Sequence, residues 1–185
     1  LLDLARIEAG RMEFNLESFE AASLLSEVSE MMRPLADQQD TRIEVITAGS
    51  PCRIHADRQK LRQVLINLVA NAVKFTSKGV VRLQCKGYTE AEQEWLRFEV
   101  SDTGPGLSPG QIARLFGEYE QGEPPGGDQV EGTGLGLAIS RQLCLAMGGS
   151  LTAENKPDGG ALFTIQLPAT QSAEQTASHP GTTSV

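Results

Sequence analysis

Residues 57–76 read DRQKLRQVLINLVANAVKFT, and the rest of the chain is arranged around this stretch. Leu61, Val64, Leu65, Leu68 and Val69 recur at steps of three and four, the spacing of one buried face of an α-helix. Asp57 stands where an N-cap belongs, its carboxylate ready to accept from an otherwise unpaired backbone N–H. Two amides interrupt the apolar pattern, Asn67 and Asn71. Four residues apart, they share a helical face, and Lys74, three further on, lies near it. An amide oxygen, a second amide and an ammonium on one side of a helix make a seat for a metal ion and phosphates. The same residues admit a plainer reading: Asn67 caps a buried backbone group, Asn71 is incidental and Lys74 is a solvated cation at a helix C-terminus.

Composition narrows the choices. The chain has 185 residues, 39% hydrophobic and 22% charged, enough for one ordinary domain with a sizeable core. A net charge of −8 argues against a general nucleic-acid binder. It leaves a nucleotide ligand open, because the field inside a cleft differs from the total. Cys52, Cys85 and Cys144 are scattered, with no metal-binding spacing, which points to a reducing, cytoplasmic setting. No apolar run is long enough to span a membrane, so no membrane contact is expected. The chain opens at Leu1 in mid-pattern, as a piece of something longer would.

Outward from the central stretch, residues 1–11 resemble the end of a helix, residues 12–16 alternate as a strand, and residues 19–39 are a second amphipathic helix. Leu24, Leu25, Val28, Met31, Met32 and Leu35 form the buried stripe expected there, with Pro34 as a possible bend. Strands are expected at 42–47, 52–55, 80–88, 95–101, 150–154 and 162–167, and turns at 49–51, 89–94 and 156–160. Helices are expected at 108–116, capped by Ser108 with Pro109 at its first position, and at 134–147. Residues 169–185 are rich in Ser, Thr, Ala and Gln and read as an unstructured tail or linker. The order of elements predicts an α/β two-layer sandwich, one mixed β-sheet with helices packed on a single face.

Two glycine-rich segments carry the chemistry. In DTGPGL, residues 102–107, a strand ends in an acid that can accept from an exocyclic amine, and the glycines let backbone approach a flat ring. In GTGLGLAIS, residues 132–140, glycines precede a helix whose first N–H groups and dipole favour phosphate. Each is weak alone; the first could be a plain turn and the second a flexible loop end. It is not a P-loop, since no Gly-Lys-Ser/Thr ends it.

Together, NLVANAVKFT, DTGPGL, LFGEYEQ, GTGLGLAIS and GGALFTIQLP resemble, in order and spacing, the catalytic ATP-binding domain of sensor histidine kinases. That domain belongs to the GHKL superfamily, with gyrase, the large cytosolic heat-shock chaperone and MutL. The resemblance covers nearly everything from about Ser18 to Pro168, which sets the expected catalytic domain at residues 12–168, and residues 1–11 resemble the end of the preceding dimerisation and phosphoacceptor helix. It implies the following roles. Asn71 holds Mg2+, with Asn67 and Lys74 beside the phosphates as catalytic residues. Phe75, Gly104, Gly106, Leu107 and Phe116 line the base pocket, and Asp102 accepts the adenine amine. Gly132, Thr133, Gly134, Leu135, Gly136 and Leu137 cradle the triphosphate of ATP or ADP. Hydrolytic relatives carry Glu four residues before the metal-binding asparagine as a base for water; Asn67 stands there and cannot take a proton. The implied reaction is γ-phosphate transfer to a histidine, then relay to a response regulator receiver domain. The implied assembly is a homodimer of the full protein through its dimerisation domain, with this piece alone monomeric. The rivals are a GHKL ATPase and a degenerate, non-catalytic signalling module.

Three departures from the family pattern stand out. No His is followed by Glu, and His55 and His179 have the wrong context, so the phosphoacceptor is expected elsewhere. Ala161 and Leu162 occupy positions where relatives carry hydroxyls near the base-binding acid, which predicts one hydrogen bond fewer for Asp102. The lid, residues 117–133, carries Glu118, Glu120, Glu123, Asp128 and Glu131 and no base, and is expected to add little to affinity.

Overall fold

The computed structural model describes residues 12–46, 52–115 and 135–170. Expectations for residues 1–11, the turn at 49–51, the lid, Phe116, Gly132, Thr133, Gly134 and the tail from 171 onward fall outside these.

The elements run β1 (Leu16–Glu20), α1 (Ala21–Gln38), β2 (Arg42–Ile46), β3 (Arg53–Asp57), α2 (Arg58–Phe75), β4 (Val80–Glu90), β5 (Gln93–Asp102), α3 (Pro109–Arg114), α4 (Leu135–Ala146), β6 (Ser150–Asn155) and β7 (Ala161–Pro168). Five strands form a mixed sheet in the order β2-β4-β5-β7-β6. β2 runs parallel to β4, and the other three pairs are antiparallel. The single sheet expected from the sequence is in fact two: β1 and β3 form a separate antiparallel ribbon. The chain past Pro168 ties this ribbon to the main sheet, because Ala169 donates to Glu94 O and accepts from the His55 N–H.

Burial alternates along the main sheet as a half-buried pleat demands. Val81, Leu83 and Cys85 on β4, Leu96, Phe98 and Val100 on β5, and Phe163, Ile165 and Leu167 on β7 are buried. Register places Leu83 opposite Val100, and Val100 opposite Phe163, so the apolar residues share one face. The other face is polar: Glu44 accepts from Arg82 at 3.0 Å, and Gln84 pairs with Glu99. Helices α1, α2 and α4 complete the second layer, α2 lying between and touching both neighbours.

The central helix forms where its pattern requires. Asp57 is both the last residue of β3 and the N-cap of α2: its Oδ1 accepts from Lys60 N–H at 2.9 Å and its Oδ2 from Asn15 N–H at 2.9 Å. Leu61, Val64, Leu65, Leu68, Val69 and Val73 are fully buried. Helix α1 departs from expectation: Met31 and Leu35 are 52% and 36% exposed, while Ala21, Leu24, Leu25, Val28, Met32 and Ala36 form the buried stripe. Met31 lies at the margin of that arc on the helical wheel, while Leu35 falls within it but in the last turn of the helix, so apolar character alone did not decide their burial. Met12 and Phe14 are not in a strand, but they pack against the core. Helix α4 ends in a Schellman turn, with Gly148 at φ 75°, Gly149 donating to Cys144 O and Gly148 to Leu145 O.

Candidate functional site

The site residues come from α2, the loop after β5, the start of α4 and the β6–β7 turn. On α2, Asn67 and Asn71 are half-buried and Lys74 is exposed. Asn67 Nδ2 donates to Ser140 Oγ at 3.0 Å, joining α2 to α4. At the start of α4, a Cβ on Gly136 would lie 2.4 Å from Asn67 Oδ1, so only glycine lets the last glycine box come this close to the asparagine box. The structure therefore brings together the two segments that sequence could only place in order. Leu137 packs against the core beside them. Leu135 begins the helix.

Among the described residues, nothing hydrogen-bonds the Asn71 amide. It is half-buried on the same helical face as Asn67, with its oxygen free to meet a hard cation. Phe75 ends the helix with its ring 47% exposed, and Lys74 Nζ lies 5.7 Å from that ring's centroid, a cation–π contact.

Asp102 is 5% exposed at the end of β5. Its Oδ1 accepts from Gly104 N–H at 2.8 Å and from Ala161 N–H at 3.2 Å. Ala161 brings no hydroxyl to Asp102, and its contribution is the main-chain donor alone. With Oδ1 occupied twice, Oδ2 has no partner among the described residues and is the oxygen left to accept from a ligand amine. Gly104 fits tightly against the end of α2: a Cβ there would lie 2.6 Å from Phe75 O. This contact packs the loop after the acid against the backbone of the residue that carries the exposed ring. Such an arrangement suits a flat, amine-bearing base.

Sequence reasoning missed three residues. Gly160, at φ 84°, packs on Asp102; a Cβ would lie 2.0 Å from Asp102 O. Asn155 pairs both backbone groups of Leu107, as described below. Ser140 stands four residues after Gly136, so helical spacing alone could have placed it on the face toward Asn67. Nothing local signalled the other two. Burial pushes the Cys144 thiol up to about 12 and the Cys85 thiol higher still, which disfavours thiolate chemistry at these two.

Comparison with known proteins agrees with this geometry. The family described as Histidine kinase-, DNA gyrase B-, and HSP90-like ATPase matches residues 56–171, more than half of the chain. The chain is 36% identical over 170 residues to the sensor protein GacS of Pseudomonas syringae pv. syringae, covering 90% of this chain and 19% of that protein. It is 37% identical over 171 residues to the sensor protein TorS of Escherichia coli (strain K12), covering 91% of this chain and 18% of that one. The chain thus spans about a fifth of the length of these curated relatives. Among solved structures, full-length ShkA in complex with AMPPNP superposes with a TM-score of 0.77 at 35% identity, over 94% of this chain and 35% of ShkA. The catalytic domain of histidine kinase ThkA superposes at 0.70 with 27% identity, over 85% of this chain and 97% of that domain. The chain belongs to the histidine kinase-, DNA gyrase B- and HSP90-like ATPase family, and within it to the ATP-binding catalytic domains of sensor histidine kinases.

Proposed function

We propose that this domain binds ATP with Mg2+ and presents the γ-phosphate to a histidine of its own dimerisation and phosphoacceptor domain, for relay to a response regulator receiver domain. The observation that carries the reading is the state of Asp102. Its Oδ1 is held by two backbone donors, its Oδ2 has no partner among the described residues, and Gly104 packs closely against the Phe75 backbone. Oδ2 accepts the adenine amine, and Gly104 lets the ring lie against the main chain.

Asn71 holds the cation and Lys74 neutralises phosphate charge. Gly136, pressed against Asn67, sets the N-terminus of α4 beside these groups, where its N–H donors and dipole suit phosphate. The bound Mg2+ supplies charge neutralisation on the phosphate oxygens. Asn67 cannot act as a base, and its amide is engaged with Ser140, which disfavours water attack and the purely hydrolytic alternative. Kinship with sensor proteins supports a cytoplasmic position for the domain, in a sensor that works as a homodimer.

Calorimetry with ATP and ADP, with and without Mg2+, tests the reading. Micromolar to millimolar binding strengthened by Mg2+ is expected; no binding of either nucleotide overturns it. His55 pairs with Ser18 in the β1–β3 ribbon and His179 lies beyond the described residues. Incubation with γ-labelled ATP should therefore leave this chain unlabelled.

A further inference from the structure

We infer that Asn155 is a positioning residue for the base pocket: its side-chain amide holds the Gly104–Leu107 loop in the shape that lets Asp102 discriminate adenine. This rests on the nucleotide reading above and adds a residue to it.

Asn155 closes β6 on the exposed side of the turn. Its Oδ1 accepts from Leu107 N–H at 2.7 Å and its Nδ2 donates to Leu107 O at 2.7 Å. One amide thus captures both backbone groups of one residue, as a neighbouring strand would, and fixes the peptide planes on either side. The residue before it explains how the two can meet. Gly106 has φ 77°, and a Cβ there would lie 2.7 Å from Asn155 Oδ1. The glycine assigned to the base pocket is also the gap through which Asn155 reaches the loop.

The partner on the other side is stiff. Lys156 N–H donates to Gly160 O at 3.0 Å and Gly159 N–H to Lys156 O at 3.1 Å, closing the β6–β7 turn on itself. Gly160 then abuts Asp102 O, and Ala161 N–H holds Asp102 Oδ1. The turn therefore grips the loop at both ends, Gly160 and Ala161 at Asp102 and Asn155 at Leu107. Between those grips lie Thr103, Gly104, Pro105 and Gly106, whose backbone lines the base. Immediately after the second grip, Ser108 caps α3 with Gln111 in a reciprocal pair. Releasing Asn155 frees one end of the loop but not the acid itself, so its effect falls on how the base is read rather than on whether the domain folds.

The experiment compares the parent chain with Asn155→Ala and Asn155→Asp, measuring affinity for Mg·ATP and Mg·GTP by calorimetry, and thermal melting. Asn155→Ala should bind ATP roughly tenfold more weakly, the equivalent of two lost hydrogen bonds, and its preference for ATP over GTP should narrow. Its melting temperature should fall by only a few degrees. Asn155→Asp keeps an oxygen for the Leu107 N–H and should recover part of the preference. A folded Asn155→Ala with unchanged ATP affinity and unchanged ATP:GTP ratio overturns the inference while leaving the nucleotide reading intact. So does a loss of melting temperature with the ratio preserved, which marks a merely structural bond. If the parent binds neither nucleotide, both the inference and the reading beneath it fail.

Discussion

Asn67 and Ser140 lie 73 positions apart in sequence, yet the Asn67 amide donates to the Ser140 hydroxyl at 3.0 Å, with Gly136 pressed against the same amide's oxygen. This contact fixes how close the glycine box comes to the asparagine face of α2. Gly136→Ala would push the Asn67 side chain aside. Crowding costs about 1–3 kcal/mol and Ala's helix preference returns up to about 1 kcal/mol. In an Asn67→Ala background the clash disappears, so there Gly136→Ala should be neutral or stabilising. Chemical denaturation of the four proteins measures the coupling. Additive effects would show that the two residues do not touch in solution.

Asp102→Asn separates the two duties of that carboxylate. The Asn Oδ1 still accepts from Gly104 and Ala161, so the fold should lose no more than about 1 kcal/mol. An NH2 now stands where Oδ2 was and meets the adenine amine donor to donor. ATP binding should fall at least tenfold, and Asp102→Ala should in addition destabilise the fold by leaving both N–H groups unpaired. Equal ATP affinity in Asp102→Asn and parent would remove the acid from the site.

Asn71→Ala should abolish the Mg2+ dependence of nucleotide binding while the fold survives. The amide has no partner among the described residues, and Ala is a strong helix former. Titrations with and without Mg2+, alongside circular dichroism, check both halves. Retained Mg2+ enhancement would place the metal elsewhere.

Glu27 ties α1 to α2, accepting from Arg62 at 2.9 Å and from Arg58 at 2.6 Å. The hydrogen bond from Arg62 is the largest influence and lowers its carboxyl below the ordinary carboxylate range; burial opposes it, and the hydrogen bond from Arg58 and the two positive charges add to the lowering. A lowered folded-state value means the contribution is complete above the unfolded carboxyl's range and is lost as pH falls through the lowered value. The melting-temperature gap between parent and Glu27→Gln should therefore be largest near neutral pH and close on acidification, and it should shrink with added salt. A gap that stays constant down to pH 3 would show that the ion pairs contribute nothing.

Local features were legible because neighbours in sequence make them. Helix α2, its Asp57 cap and its buried face follow from spacing and a single carboxylate, and the Ser108–Pro109 start of α3 from capping chemistry. The glycine boxes could be read as places of close backbone approach for the same reason, and Gly104 and Gly136 do pack too tightly for a side chain. What only the tertiary structure decided depends on register and on which layer covers which face. Met31 and Leu35 are apolar at helical spacing, yet the fold leaves both exposed. The β1–β3 ribbon pairs apart from the main sheet and is tied to it through Ala169, a partition the alternation of the strands does not reveal. Ala161 serves Asp102 through its backbone from 59 positions away, and Asn155 serves Leu107 from 48. The antiparallel pairing of β7 with β5, and of β6 with β7, brings those pairs together, and that alignment exists only once the apolar faces of the strands have packed under the helices.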